Sequence, residues 1–176
     1  DDDPVDWGVP ISRMPGTYFA SEDTLAGYAP SNWSAPCADY GTVTLVAGDE
    51  VVCEITNDDI APTLTLVKNV INNDAGSAGP NDFGISVGGV GVTSGATNTY
   101  EAGTPLVIDE TGLAGYRFVS ITGDAECPSE LGGSVTLGLG DAVTCTITND
   151  DVPTATLTAT DAAASESLVD AGVFTV

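Results

Sequence analysis

The strongest constraint on this chain is that it repeats itself. The run Gly41-Thr-Val-Thr-Leu-Val-Ala-Gly-Asp-Glu-Val-Val-Cys-Glu-Ile-Thr-Asn-Asp-Asp59 recurs as Gly133-Ser-Val-Thr-Leu-Gly-Leu-Gly-Asp-Ala-Val-Thr-Cys-Thr-Ile-Thr-Asn-Asp-Asp151. Upstream, Glu22-Asp-Thr-Leu-Ala-Gly-Tyr28 matches Glu110-Thr-Gly-Leu-Ala-Gly-Tyr116. The offset is about 92 residues, the size of one small β-sandwich. Residues 60–151 read as a complete module. Residues 1–59 read as a partial first module without a counterpart of residues 63–97, so the chain is expected to open partway through a module. Residues 152–176 read as the start of a third β module or as a strand for donation to a neighbour.

Local patterning makes the module all-β. Residues 63–70, 84–92, 106–110, 117–122, 134–139 and 142–148 alternate apolar with polar side chains, and Gly, Pro, Asn and Asp turns separate them. No stretch carries the 3.6-residue period of a helix. The expected architecture is a pair of tandem Greek-key β-sandwiches.

Charge and composition then remove most function classes. Twenty-six acidic residues against three basic ones give a net charge of −23, which repels nucleic acid and anionic membrane surfaces. The absence of histidine takes away the commonest metal ligand and the usual neutral-pH base, leaving no ordinary enzyme chemistry. No apolar run is long enough to insert in a membrane, and the first residues are acidic, the reverse of a signal peptide's start. The Gly88-Gly-Val-Gly91 stretch lacks the basic residue and following helix of a phosphate loop.

Strand alternation also puts polar groups on apolar faces. Leu64, Leu66, Lys68 and Val70 share one face of their strand, Leu106, Ile108 and Glu110 another, and Val143, Cys145, Ile147 and Asn149 a third. Lys68 is the only lysine in the chain. Burial disfavours the charged forms of an amine and a carboxyl alike, which yields a neutral nucleophile beside a proton-carrying acid. Attack of the Lys68 amine on the Asn149 side-chain carbonyl, with Glu110 shuttling protons and ammonia leaving, would produce an intramolecular amide. The alternative is structural: Lys68 snorkels to the sandwich rim and pairs with Glu110, while Asn149 caps a turn.

The ordered set of Leu-x-Lys68 on a first strand, Glu110 ahead of Ala-Gly-Tyr116, and Ile-Thr-Asn149 on the last strand resembles the prealbumin-like, or collagen-adhesin B-type, repeats of bacterial surface proteins and pilins. That resemblance implies a prealbumin/transthyretin-like sandwich in which Lys68, Glu110 and Asn149 form a self-catalysed isopeptide bond. A departure is Thr-Gly-Leu-Ala where many members carry a proline before Gly-Tyr. In the first copy Glu22 and Asn57 match Glu110 and Asn149, with no lysine to join them.

Each copy carries a cysteine pair at equivalent positions, Cys37 with Cys53 and Cys127 with Cys145, which reads as one disulfide per module and an oxidising compartment. The junctions at Asp58-Asp59 and Asp150-Asp151 offer oxygen ligands that suit Ca²⁺, or are plain solvated turns. The cluster Asp1, Asp2, Asp3 and Asp6 is read as a turn as well. The segment holding Glu166 and Gly172-Val-Phe-Thr-Val176 resembles the opening of a Calx-beta module. Asn32-Trp33-Ser34 is a formal glycosylation sequon. Trp7, Trp33 and Tyr28 are either core aromatics or a ligand surface.

The combined expectation is a structural region of a secreted or cell-surface bacterial protein, an adhesin stalk or extracellular filament, with no cofactor other than Ca²⁺. Its partners would be neighbouring modules or identical subunits in a fibre. The competing expectation is a ligand- or carbohydrate-binding adhesin module.

Overall fold

A computed structural model of the protein describes residues 4–38, 40–155, 157–159 and 174–175. The chain divides into two compact units, one of residues 4–62 with Gly138–Asp141, the other of Thr63–Leu137 and the described residues from Ala142 onward. The acidic start Asp1 to Asp3, and the Calx-beta-like segment apart from residues 174–175, lie outside the described residues.

In the first unit, β1 (Gly16–Phe19) pairs antiparallel with β3 (Thr42–Leu45), and β2 (Tyr28–Pro30) pairs antiparallel with β4 (Asn57–Asp59). A disulfide joins Cys37 to Cys53. Among the described residues of this unit the buried side chains are Cys37 and Pro62. Of the three aromatics that read as core or as a ligand surface, Trp7 is 69% exposed, Trp33 half-buried and Tyr28 exposed.

The second unit is a β-sandwich of two four-stranded sheets. Its strands are β5 (Thr63–Ile71), β6 (Gly84–Val87), β7 (Val90–Gly91), β8 (Thr97–Thr99), β9 (Pro105–Thr111), β10 (Tyr116–Gly123), β11 (Ser134–Thr136) and β12 (Ala142–Asp151). One sheet runs β10-β12-β5-β8 and the other β11-β9-β6-β7. A pair of short strands, β13 (Thr158–Ala159) and β14 (Phe174–Thr175), follows. A 3-10 turn, Pro80–Asp82, leads into β6.

The expected strands 63–70, 106–110 and 117–122 reappear within a residue at each end, whereas 134–139 stops three residues earlier and 142–148 runs three residues further, and one strand needs a larger correction. Residues 84–92 are two strands rather than one, because Gly88 and Gly89 both take positive φ, 57° and 78°, and fold the segment into a tight hairpin. The short β8 carries no long apolar run and escapes pattern reading; its pairing with the start of β5 makes it a strand.

The central feature is the parallel pairing of the first and last strands. From Ala142↔Thr63 to Asp150↔Ile71, β12 lies in unbroken register beside β5. Both strands turn alternate side chains inward, so Leu64, Leu66, Val143, Cys145 and Ile147 meet Ile85, Val87, Leu106, Ile108, Ile121, Val135 and Leu137 across the sandwich. Fully burying a Leu or Ile side chain contributes roughly 1.5–3 kcal/mol each, which makes this layer the main source of the unit's stability. The Cys127–Cys145 disulfide closes a loop of 18 residues, worth about 3 kcal/mol in the chain-entropy treatment.

Beyond β5, residues 72–78 wrap the Asp151 carboxylate. It accepts backbone N–H bonds from Asn73 at 2.8 Å, Asp74 at 2.9 Å and Gly76 at 2.6 Å. Tyr116 braces the same loop, its hydroxyl donating to Asn72 Oδ1 at 2.6 Å and accepting from Ala78 N–H at 2.8 Å. A Cβ at Gly76 would strike that hydroxyl, so the loop closes only with glycine there. Burial pushes the Asp151 carboxyl up, and the N–H bonds from Gly76, Asn73 and Asp74 outweigh it, holding the group below its ordinary value of 3.8.

A depressed carboxylate stabilises the fold above its ordinary titration range and loses that contribution as pH falls through the lowered folded value. Asp151→Asn is therefore expected to remove part of the acid sensitivity and to raise amide exchange over residues 72–78, read by hydrogen exchange at pH 7 and by melts from pH 6 down to 2. Unchanged exchange would show that Asp151 does not latch the loop. At Gly123, φ is +140° and an added Cβ would run into the Thr144 carbonyl oxygen. Gly123→Ala is expected to cost about 1–3 kcal/mol in urea unfolding; a loss below 0.5 kcal/mol would show that β10 relaxes freely.

Candidate functional site

Lys68, Glu110 and Asn149 come from three strands whose alternation turns them into the sandwich. In β5, Lys68 follows Leu64 and Leu66 on the buried face and is 3% exposed, whereas Asn69 next to it is exposed. In β9, Glu110 follows Leu106 and Ile108, while the intervening Val107 faces out. In β12, Asn149 continues the row Val143, Cys145, Ile147 and is 1% exposed. β5 and β12 are direct neighbours in one sheet and β9 lies in the facing sheet, so the three side chains converge across the interior.

Their contacts form a closed triangle. Lys68 Nζ donates to Glu110 Oε2 at 2.7 Å and to Asn149 Oδ1 at 2.7 Å. Asn149 Nδ2 donates to Glu110 Oε1 at 2.6 Å. Glu110 thus uses one oxygen on the amine and the other on the amide. Both side chains of the ion pair are sealed from solvent, at 0% and 2% exposure, and among the described residues no buried side-chain nitrogen or oxygen lacks a partner.

Electrostatics set the amine against its position. Burial lowers the Lys68 pKa below its ordinary 10.5, and the hydrogen bond and charge of Glu110 oppose that without cancelling it. A lowered pKa enlarges the fraction of unprotonated, nucleophilic amine at neutral pH. With Asn149 Oδ1 at 2.7 Å, the carbonyl carbon is one bond further on, and Glu110 can take a proton from the amine and pass one to the amide nitrogen. The arrangement brings together the groups that an acyl transfer from the Asn149 amide nitrogen to the lysine amine would need.

Two further residues complete the site. The Phe83 ring lies under the amine, with Nζ 4.4 Å from its centroid, and stacks edge-on against Tyr116 at 5.4 Å. Ser94 Oγ accepts the Lys68 backbone N–H at 2.8 Å. Sequence reading overlooked Phe83, although the signal was present: Phe83, Ile85 and Val87 share one face at period two. Ser94, in the turn before β8, carried no such signal.

The remaining sequence-derived candidates fall elsewhere. Glu22 and Asn57 meet in the first unit, where Asn57 Nδ2 donates to Glu22 Oε2 at 3.1 Å, on an exposed edge rather than in a core. The cysteine pairs Cys37–Cys53 and Cys127–Cys145 are both joined. Asp58 and Asp59 lie exposed in β4; Asp150 accepts from Arg117 at 2.8 Å and Asp151 holds the 72–78 loop. Among the described residues no group of three or more His, Cys, Asp or Glu side chains is arranged to hold a metal ion, and no helix is long and apolar enough to cross a membrane.

Comparison with known proteins agrees with this architecture. A family described as a prealbumin-like fold domain matches residues 4–55 and 59–147. No curated protein and no solved structure matches. The two matched segments cover most of the chain and include Glu22, Lys68 and Glu110. The chain belongs to the prealbumin-like fold domain family.

Proposed function

We propose that this chain is a load-bearing region of a secreted or surface-attached bacterial protein, a stalk or filament segment, and that its second unit matures by forming an amide between Lys68 and Asn149. The observation that carries the reading is the triangle of contacts, with the amine 2.7 Å from both the Glu110 carboxyl and the Asn149 carbonyl oxygen in a site closed to water. A buried lysine needs only one acceptor for its charge; a carboxyl that also grips the amide nitrogen at 2.6 Å does more than neutralise it.

The step balances without any co-reactant. The neutral Lys68 amine attacks Asn149 Cγ, the new Nζ–Cγ bond forms, and Glu110 accepts the surplus proton through Oε2. The Cγ–Nδ2 bond then breaks as Glu110 returns a proton through Oε1, and ammonia leaves. Excluded water cannot compete for the carbonyl carbon, and the product amide no longer requires a buried cation.

The physical consequence suits a structural role. Linking residues 81 positions apart lowers the entropy of the unfolded unit and is worth about 4.5 kcal/mol in the chain-entropy treatment. The two disulfides add a second set of ties, which persist in an extracellular, oxidising setting. A net charge of −23 keeps such a region soluble.

Intact mass after reduction tests the proposal. The chain is expected to weigh one ammonia less than its sequence, with a linked peptide holding Lys68 and Asn149. Glu110→Ala and Lys68→Arg are expected to restore the full mass and to lower the melting temperature of the second unit by roughly 20 °C. Full mass in the unaltered chain would remove the cross-link and leave a region held by disulfides and packing.

Before the bond closes, the lowered Lys68 pKa means that the unfolded chain binds more protons than the folded one between that lowered value and 10.5. Stability of the unlinked Asn149→Ala chain should therefore rise with pH across that window. Flat stability there would show that the amine is not held in its neutral form.

A further inference from the structure

Cys145 and Asn149 lie on one strand and on one face of it. Both are sealed in the interior, at 0% and 1% exposure, with Ile147 between them in the same row. The side chain that would be linked to Lys68 is thus carried by the strand that also carries half of a disulfide. Cys145 stands beside Leu66 of β5 and Gly123 of β10, and its partner Cys127 comes from the loop that leaves β10.

β10 meets β12 in two halves that are out of step. Phe118 lies opposite Asn149 and Ser120 opposite Thr148, so Val119 is an extra residue, a β-bulge placed beside Asn149 itself. A bulge lets one half of a strand shift without the other, and a shift of one residue turns its side chains to the opposite face. Each half therefore needs its own pin. The half next to Asn149 has the Arg117–Asp150 ion pair at 2.8 Å and the bond from Val152 N–H to Gly115 O at 2.9 Å. The half from Ser120 to Gly123 has the disulfide, supported by Asp124, whose N–H donates to Thr144 O at 3.2 Å and whose Oδ2 accepts the Thr144 N–H at 2.8 Å. In this second half Ile121 is buried opposite Ile147. A one-residue shift would put Ser120 or Thr122 in its place and take the apolar neighbour from the row that holds Asn149.

The bridge is built into the end of β10. A Cβ at Gly123 would lie 3.1 Å from Cys127 Sγ and 3.1 Å from Cys145 Cα, so glycine leaves the space in which the sulfurs join. Two separate thiols need more room than a bridge in a close-packed site. Cys145 is fixed by the core and Cys127 is half-buried at its margin, so on reduction the loop and the last residues of β10 are the parts that give way.

We infer that the Cys127–Cys145 pair is a redox switch on the maturation of the second unit: with both thiols free the Ser120–Gly123 half of β10 is unpinned and Asn149 is not held against Lys68, and closing the bridge starts the reaction. The inference rests on the amide-forming step proposed for Lys68 and Asn149. It adds the trigger of that step and ties it to an oxidising compartment. Closure is a thiol–disulfide exchange with a low-molecular-weight disulfide. The Cys127 thiolate attacks it to give a mixed disulfide, and the Cys145 thiolate displaces the external thiol. The cysteine pair loses two electrons and two protons, and the external disulfide becomes two thiols.

The test uses the full chain, made and kept under reducing conditions, and follows its intact mass under denaturing conditions. The chain is expected to hold its full sequence mass, and after addition of oxidised glutathione to lose four hydrogens for its two bridges and then one ammonia. A chain with Cys37→Ser and Cys53→Ser responds in the same way, losing two hydrogens and the ammonia. Cys127→Ser forms the amide at least tenfold more slowly, with or without glutathione. Hydrogen exchange separates a switch from unfolding: in the reduced chain the amides of Ser120–Gly123 exchange faster while those of Leu64, Leu66 and Lys68 stay protected, and loss of protection throughout the unit overturns the switch. Loss of ammonia at equal rates in the reduced and oxidised chains also overturns it and leaves the Lys68–Asn149 chemistry standing. Retention of the ammonia in both states overturns that chemistry and this inference with it.

Discussion

A primary amine held inside a sandwich, away from water, is the constraint around which the second unit is organised. The apolar row that precedes Lys68 on β5 must be buried for the unit to fold, and strand geometry drags the lysine in with it. Once inside, the amine meets one acceptor from the facing sheet and another from the adjacent strand. Glu110 and Asn149 supply both at 2.7 Å. Ordinarily a buried ion pair contributes little net stability, since desolvation offsets attraction. Its presence among Leu64, Leu66, Ile108 and Ile147 is what the proposed amide-forming step would require.

The surroundings keep that arrangement in register. The Asp151 latch and the Tyr116 brace fix the loop just beyond β5, and Phe83, packed on Tyr116, forms the floor beneath the amine. One end of the site is therefore tied to the repeat's Gly-Tyr motif, which otherwise looks remote from the chemistry. At the other end the Cys127–Cys145 bridge anchors β12.

How much of this could be read from the sequence depends on whether the signal was periodic. Two-residue alternation was enough to turn Lys68, Glu110 and Asn149 inward, and duplication was enough to pair the cysteines. Non-periodic features escaped: the Gly88-Gly89 hairpin inside an apparent single strand, the short β8, and the carboxylate of Asp151, which resembled a solvated turn or a cation ligand and instead caps three backbone N–H groups. Residues 51–56 make the limit plain. They nearly repeat residues 143–148, yet take no strand conformation, because strand identity here is conferred by a partner and not by local preference.

The parallel register of β5 with β12 carries one more consequence. Two strands that run the same way place the start of one and the finish of the other at opposite ends of the pair, so a pull on Thr63 and Asp151 is directed along the strands. The hydrogen bonds spanning Ala142↔Thr63 to Asp150↔Ile71 are then loaded together in shear, where all must yield at once. An antiparallel pair pulled from one end would instead unzip a bond at a time.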